Sequence, residues 1–148
     1  MIITIAGDPG AGKTTIGQLL KDRLGFDYFY VGLLVRKMAE AANKSVDQFW
    51  REAENNPKID EELDAWQRKL LMERDNFVLD SRIGFFWPIP GEKQRINIFL
   101  SVVPEVGAER ILKNSRLGDK KYEHVTDVMI ANSRRIITER KRYKDFYG

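Results

Sequence analysis

An apolar run, Ile2-Ile3-Thr4-Ile5-Ala6, leads directly into Gly7-Asp8-Pro9-Gly10-Ala11-Gly12-Lys13-Thr14. This junction constrains the fold more than any other feature of the chain. Five such residues suit a strand buried on both faces of a parallel sheet. The next eight fit G-x-x-x-x-G-K-[ST], and an amphipathic helix pattern follows, which is the context the motif requires. Successive backbone N–H groups of such a loop surround a triphosphate at the positive end of the helix. Lys13 is expected to reach the β- and γ-phosphates and the Thr14 hydroxyl to ligate Mg²⁺. Gly7, Asp8, Pro9, Gly10, Ala11, Gly12, Lys13, Thr14 and Thr15 thus make up the expected nucleotide loop. A nucleoside triphosphate is the expected ligand.

The rest of the chain alternates strands with helical segments. The helix after the loop places Ile16, Leu19, Leu20 and Leu24 on one face, and Gly25 can end it. Asp27–Val31 reads as a second strand with Gly32 as the break, and Leu33–Ala42 as a helix. Ser45 suits the N-cap of a short helix through Phe49 and Trp50. Asn56-Pro57 interrupts before a long helix from about Lys58 to Arg74. Ile59, Leu63, Trp66 and Leu70 should face its core side, with Asp60, Asp64 and Gln67 in a neighbouring polar stripe. That stripe is either a solvated face or the wall of a substrate cleft. Asn76–Asp80 is a third strand ending in a carboxylate, and Arg95–Val102 a fourth. Pro104 opens another helix through about Asn114. Gly118–Phe146 is mostly helical and basic. Strands separated by helices predict a three-layer α/β sandwich with a parallel sheet, in one domain.

Composition narrows the class. A chain of 148 residues, 43% hydrophobic and 32% charged, can bury one real core. Apolar runs all fall well short of 18 residues and the N-terminus reads as a strand, so neither a membrane span nor a signal peptide is expected. The absence of cysteine excludes disulfides, cysteine zinc sites and a thiol nucleophile. A cytoplasmic monomer is the expectation. The net charge of +3 hides an asymmetry. Residues 110–148 carry 11 Lys/Arg against 5 Asp/Glu, the remainder 14 against 17. Such a segment can hold nucleic acid or close over nucleotide phosphates, and beside a phosphate loop the second reading is favoured.

What accepts the phosphoryl group decides the chemistry. A phosphate acceptor is already anionic near neutral pH, since a monoester's second pKa is about 6. Such a transfer needs cations to hold two repelling phosphates together rather than a general base. A hydroxyl acceptor would instead need a carboxylate near the loop, and Asp80, at a strand's carboxyl end, is the candidate. The arginines favour the first case. Arg36 lies one turn into the helix after strand two and Arg82 two residues beyond strand three, where guanidinium forks can clamp phosphate. Arg134, Arg135, Arg140 and Arg142 add cations from the late helix. The aromatic run from Gly84 to Pro90 can stack a nucleobase or simply pack.

In this order the blocks resemble the nucleoside monophosphate kinases, and most closely the archaeal-type cytidylate kinases. The blocks are Gly7–Thr15, Gly32 through Arg36, Pro57 through Gln67, Val78-Leu79-Asp80-Ser81-Arg82, Glu109-Arg110-Ile111 and Glu139 to Gly148. The resemblance implies ATP as donor, Mg²⁺ as cofactor and a nucleoside monophosphate as acceptor, CMP or dCMP first. It implies that Arg36 and Arg82 hold the acceptor's phosphate and that a basic helix, about Arg116 to Arg142, acts as a lid. The acceptor is expected within about residues 33–74, against Gly32, Arg36, Asp60, Asp64 and Gln67 together with Arg82. Lys13, Arg82, Arg135, Arg142 and Asp80 are the expected catalytic residues, and Thr14 and Asp80 the Mg²⁺ pair.

Three departures stand out. Tyr30-Val31-Gly32-Leu33 replaces a Ser-Ala-Gly-Asp-like segment, and Ser81 replaces a glycine before Arg82. The family's last strand and helix, which help hold adenine, have no counterpart before Gly148: either this is a shortened form with a four-stranded sheet, or these residues are not the whole natural protein. Two rival readings are a kinase of a nucleoside or metabolite hydroxyl and a nucleotide-binding ATPase or switch without a small acceptor. A switch lacks support: the base reader Asn-Lys-x-Asp is missing, and an Asp-x-x-Gly at Asp145–Gly148 follows a helix rather than strand three. A nucleic-acid-binding tail is the last alternative.

Overall fold

Alternation along the strands dictates how the layers stack, because successive side chains leave a sheet on opposite faces. The computed structural model describes residues 1–114 and 120–148. Its elements run β1 (Ile2–Gly7), α1 (Lys13–Leu24), β2 (Asp27–Tyr30), α2 (Val31–Ala41), α3 (Val46–Ala53), α4 (Pro57–Glu73), β3 (Phe77–Asp80), β4 (Arg95–Leu100), α5 (Pro104–Lys113) and α6 (Val125–Tyr147). The four strands pair in parallel in the order β2-β3-β1-β4. Ile2, Phe77 and Leu79 leave one face and pack on Leu70, Leu71 and Trp87. Ile3, Ile5 and Val78 leave the other and meet Ile16 and Leu20 of α1. The result is the expected three-layer α/β sandwich. A separate cluster of Val35, Ala39, Phe49, Ala53, Ile59 and Leu63 joins α2, α3 and α4. Each of its larger side chains, Val35, Phe49, Ile59 and Leu63, contributes roughly 1.5–3 kcal/mol on burial.

Register explains where the strands stop. Tyr30 pairs with Asp80, the last residue of β3, so Val31 has no partner and starts α2 instead of ending the strand. Gly32 therefore lies inside the first turn of α2 rather than breaking the chain. Gly7 likewise pairs with Leu100, which ends β4 two residues before the expected Val102. The carboxyl ends of β1, β2 and β3 thus converge at Gly7, Tyr30 and Asp80.

The caps at Gly25 and Ser45 fall where the sequence put them, and a third appears at Asn56. Gly25 closes α1 at φ 67°, Ser45 and Gln48 form a reciprocal capping box on α3, and Asn56 caps α4 ahead of Pro57. The core face of α1 is narrower than expected: Leu19 and Leu24 are exposed. The sheet contact centres on Ile16, Gly17 and Leu20, where the Tyr28 ring would lie 2.4 Å from any Cβ on Gly17. Residues 120–124 of the basic segment are not helical, and α6 begins at Val125. Arg116 and Gly118, the start of the expected lid, lie outside the described residues. No helix among the described residues is long and apolar enough to cross a membrane.

Candidate active site

The phosphate loop is shaped by close approaches that only glycine permits. Gly7 (φ +147°) passes the Leu100 backbone, whose carbonyl would sit 2.2 Å from a Cβ. Gly10 (φ +76°) approaches the Gly107 carbonyl of α5 equally closely, so the loop is clamped between β4 and α5. Asp8 serves this architecture: its carboxylate accepts from the Val102 N–H at 3.1 Å, and its backbone N–H donates to Leu100 at 2.9 Å. The Ala11 N–H donates to the Asp8 carbonyl. Pro9, Gly10, Gly12, Lys13, Thr14 and Thr15 line the cleft in front. The Lys13 ammonium donates to the carbonyls of Gly7 at 2.9 Å and Asp8 at 2.7 Å. Burial, reinforced by the nearby Arg82 charge, pulls its pKa down to about 8.

Strand three delivers Asp80 beside this loop. Thr14 Oγ1 donates to Asp80 Oδ2 at 3.4 Å, and the Tyr28 hydroxyl donates to the same oxygen at 3.0 Å. Burial and then the Asp80 charge raise the Tyr28 pKa, so the phenol stays protonated and donating. Two adjacent hard oxygen donors, one charged, suit a small divalent cation such as Mg²⁺.

Arg82 and Arg135, distant in sequence, meet on one carboxylate that motif reasoning missed. Arg82 Nε lies 2.9 Å from Glu139 Oε2, and Arg135 Nε donates to Glu139 Oε1 at 2.8 Å. Glu139 is only 4% exposed. Burial and then the like charge of Arg135 lower the Arg82 pKa. Arg142 stands apart from this pair, with its Nε 2.7 Å from Asp60 Oδ2. That charge contact is not aligned as a hydrogen bond, and Arg142 Nη2 is buried without a hydrogen-bond partner among the described residues. The Arg135 and Arg142 guanidiniums both lie over the Trp50 ring, at 5.3 and 5.5 Å from its centre.

The stripe on α4 is a cleft wall, not a solvated face. Asp60, Asp64 and Gln67 are all buried and line the same opening as the phosphate loop, a cleft of about 1390 Å³. Gln67 Nε2 donates to the Leu63 carbonyl at 3.3 Å and Asp64 Oδ1 at 3.4 Å, and its Oε1 accepts from Ser81. Tyr147 donates to Asp64. Burial, opposed by Arg142 but helped by the neighbouring Asp64 charge, raises Asp60 to about 6. Burial raises Asp64 as well, against the Tyr147 hydrogen bond. Gly32 and Arg36 line this wall from α2, with Arg36 Nη1 donating to the Gly32 carbonyl at 3.2 Å. The aromatic run does not join them. Trp87 is buried with Leu71 and Phe77, and Tyr147 packs against it edge-on at 5.4 Å. Trp87 packs in the core, and Trp50 is among the aromatic rings that line the cleft.

Known proteins similar to this chain give its family. The family described as "AAA domain" matches residues 3–130. The cytidylate kinase of Methanopyrus kandleri is 34% identical over the whole of this chain and 77% of its own length. That of Methanocaldococcus jannaschii is also 34% identical, again over the whole chain and 80% of the relative. The chain belongs to the archaeal cytidylate kinase family. A shikimate kinase structure from Bacteroides thetaiotaomicron superposes with a TM-score of 0.62 over 99% of this chain and 81% of that one. At 19% identity it speaks for the P-loop α/β fold alone.

Within this family member, four residues escaped the motif reading. Glu139 is four residues after Arg135 and three before Arg142, on one helix face, a pattern visible in the sequence once the arginines are treated as a set. Tyr28 shares a strand face with Tyr30, and Trp50 was legible only as a helix-core residue. Arg110 sends Nη1 to the Gly10 carbonyl at 3.4 Å, a contact only the folded chain displays.

Proposed function

We propose that this kinase transfers the γ-phosphoryl group of ATP to CMP or dCMP as a cytoplasmic monomer. The observation that carries the reading is one cleft lined by the phosphate loop at one end and the buried Asp60–Arg142 pair at the other. Arg82 and Arg135 stand between. The backbone of residues 10–14 and Lys13 hold the donor phosphates. Thr14 and Asp80 hold Mg²⁺, which when bound offsets charge on the phosphate oxygens. Arg36 and Arg82 clamp the acceptor phosphate, and Arg135 bears on the phosphoryl group in flight. Arg142 belongs with the acceptor base: cytosine offers an amino donor beside a ring-nitrogen acceptor, and Asp60 with Arg142 offers the complement. Asp64 and Gln67 support that wall.

In this reading the acceptor brings its own nucleophilic oxygen, and catalysis is positioning and charge stabilisation. A hydroxyl acceptor gains no support from Asp80, which is held by Tyr28 and Thr14. The test is ADP release from Mg-ATP against CMP, dCMP, UMP, AMP, GMP and no acceptor. Turnover dependent on CMP or dCMP is expected. Equal turnover without acceptor would overturn the reading in favour of an ATPase.

A further inference from the structure

Glu139 is buried in the middle of the cleft, and its two oxygens are each taken by a different arginine. Both arginines come from separate parts of the chain: Arg82 follows β3, while Arg135 lies one turn before Glu139 on α6. Their charges also bear on Lys13, which places all three cations around one space. Like charges so gathered repel, and a buried carboxylate is costly unless paired. Glu139 answers both problems when no phosphate is present. The Arg135 Nε hydrogen bond at 2.8 Å and the Arg82 Nε ion pair at 2.9 Å set the carboxylate between two guanidiniums, as a phosphoryl group would sit.

We propose that Glu139 is a positioning residue whose carboxylate stands in for a phosphoryl group between Arg82 and Arg135. It keeps the two arginines assembled in the empty enzyme and competes with substrate phosphate for them. Arriving phosphates must draw the arginines away, and Glu139 takes them back as products leave. The inference rests on the reading of Arg82 and Arg135 as phosphate ligands.

The consequence is unusual for a buried site residue. Neutralising it should tighten anion binding while slowing turnover. Inorganic tripolyphosphate is the probe, titrated calorimetrically into wild type, Glu139→Gln and Glu139→Asp at fixed pH and salt, with circular dichroism confirming the fold. Removing one charge in contact with two arginines should tighten binding of the probe about ten- to hundredfold in Glu139→Gln. The KM for ATP should fall with it, and kcat should fall severalfold as release slows. Glu139→Asp keeps the charge but withdraws the oxygens, and should tighten binding by a smaller factor. It carries the test should the Gln variant not fold.

Unchanged or weaker tripolyphosphate binding in a folded variant overturns the proposal. So does a rise in KM alongside the loss of kcat, the signature of general damage. Wild-type protein that turns over CMP, with variants that bind the probe no better, sinks the stand-in role alone. Wild-type protein that takes up no tripolyphosphate sinks the phosphate-ligand reading and the stand-in with it.

Discussion

The two ends of the cleft are built in different ways. The donor end is made by a continuous stretch of backbone: Gly7, Gly10 and Gly12 adopt positive φ, and Lys13 is held by carbonyls five and six residues away. The acceptor end is made of side chains brought together from afar. Asp60 meets Arg142, Asp64 meets Tyr147, and Gln67 meets Ser81. A loop defined by local backbone geometry can be recognised from spacing and tolerates change around it. A wall defined by paired buried charges depends on the packing of three helices, and removing either partner leaves the other exposed to the full desolvation cost. The donor end should therefore fail in chemistry, and the acceptor end in binding.

The sharpest break in this comparison is Lys13→Ala. Losing a cation aimed at developing charge should lower kcat about 10²–10³-fold. The melting temperature near neutral pH should not drop, because the buried ammonium is itself unfavourable. Its folded pKa of about 8 lies below the ordinary 10.5. Between those values the unfolded chain keeps a proton that the folded chain has released, so wild-type stability gains a contribution rising with pH. That contribution should be absent from the variant in denaturation curves at pH 8 and 10. A variant that loses stability as well as turnover would show that the donor end is held by side chains after all.

The same contrast decides what was legible in the sequence. The loop, the Asp80 strand end and the cap residue Ser45 follow from short-range rules, and each lies where spacing put it. The α4 stripe is the instructive failure of ordinary patterning. Asp60, Asp64 and Gln67 have the periodicity of a solvated face, and nothing within α4 says that α6 will cover them. Glu139 was passed over for the same reason: one acid among three in a basic helix reads as charge balance until Arg82 arrives from 57 residues away. The end of β2 was misjudged because a strand stops where its neighbour stops, and that is a property of the sheet.

Asp60→Asn probes the acceptor end. Weakening one member of a buried charge pair should raise the acceptor KM about ten- to hundredfold while leaving the KM for ATP unchanged. Thermal stability near neutral pH should not fall with it, since the ionised carboxylate is itself costly to bury and its pairing with Arg142 offsets that cost only in part. With Asp60 raised to about 6, the wild type should lose affinity for the acceptor as pH falls below 6 and the carboxylate is protonated. The acceptor's own second ionisation falls near the same pH. The variant retains that limb, so the difference between the two KM profiles reports Asp60. Superimposable profiles would remove Asp60 from acceptor recognition. For stability the sign is opposite: a raised carboxylate pKa means the folded chain holds its proton more tightly, so Asp60 costs stability as pH rises from about 4 to about 6.

Gly107→Ala tests the donor end through its backbone. A Cβ there would meet the Pro9 carbonyl at 2.6 Å and Val102 Cγ1 at 3.0 Å, on the side where α5 supports the loop. The loop must shift, at a cost of about 1–3 kcal/mol. The KM for ATP should rise severalfold with the acceptor KM unchanged. A shift in acceptor KM instead would mean that the two ends are mechanically joined.

Ser45→Ala should have the smallest effect and marks where the comparison stops. Ser45 caps α3, which carries Trp50 under the two guanidiniums, yet the cap itself sits at the exposed end of that helix. Its hydroxyl accepts from the Gln48 N–H at 3.2 Å, and Gln48 answers by accepting from the Ser45 N–H at 2.8 Å. Removing one half of this box should cost about 1 kcal/mol, read as a small shift in the denaturation midpoint. Phe49 and Ala53 remain buried against α2 and α4, so α3 should keep its place and both KM values should hold. A rise in acceptor KM without a larger stability loss would show that Trp50 is positioned by the helix end rather than by the core beneath it. The aromatic floor would then belong to the acceptor end's long-range construction.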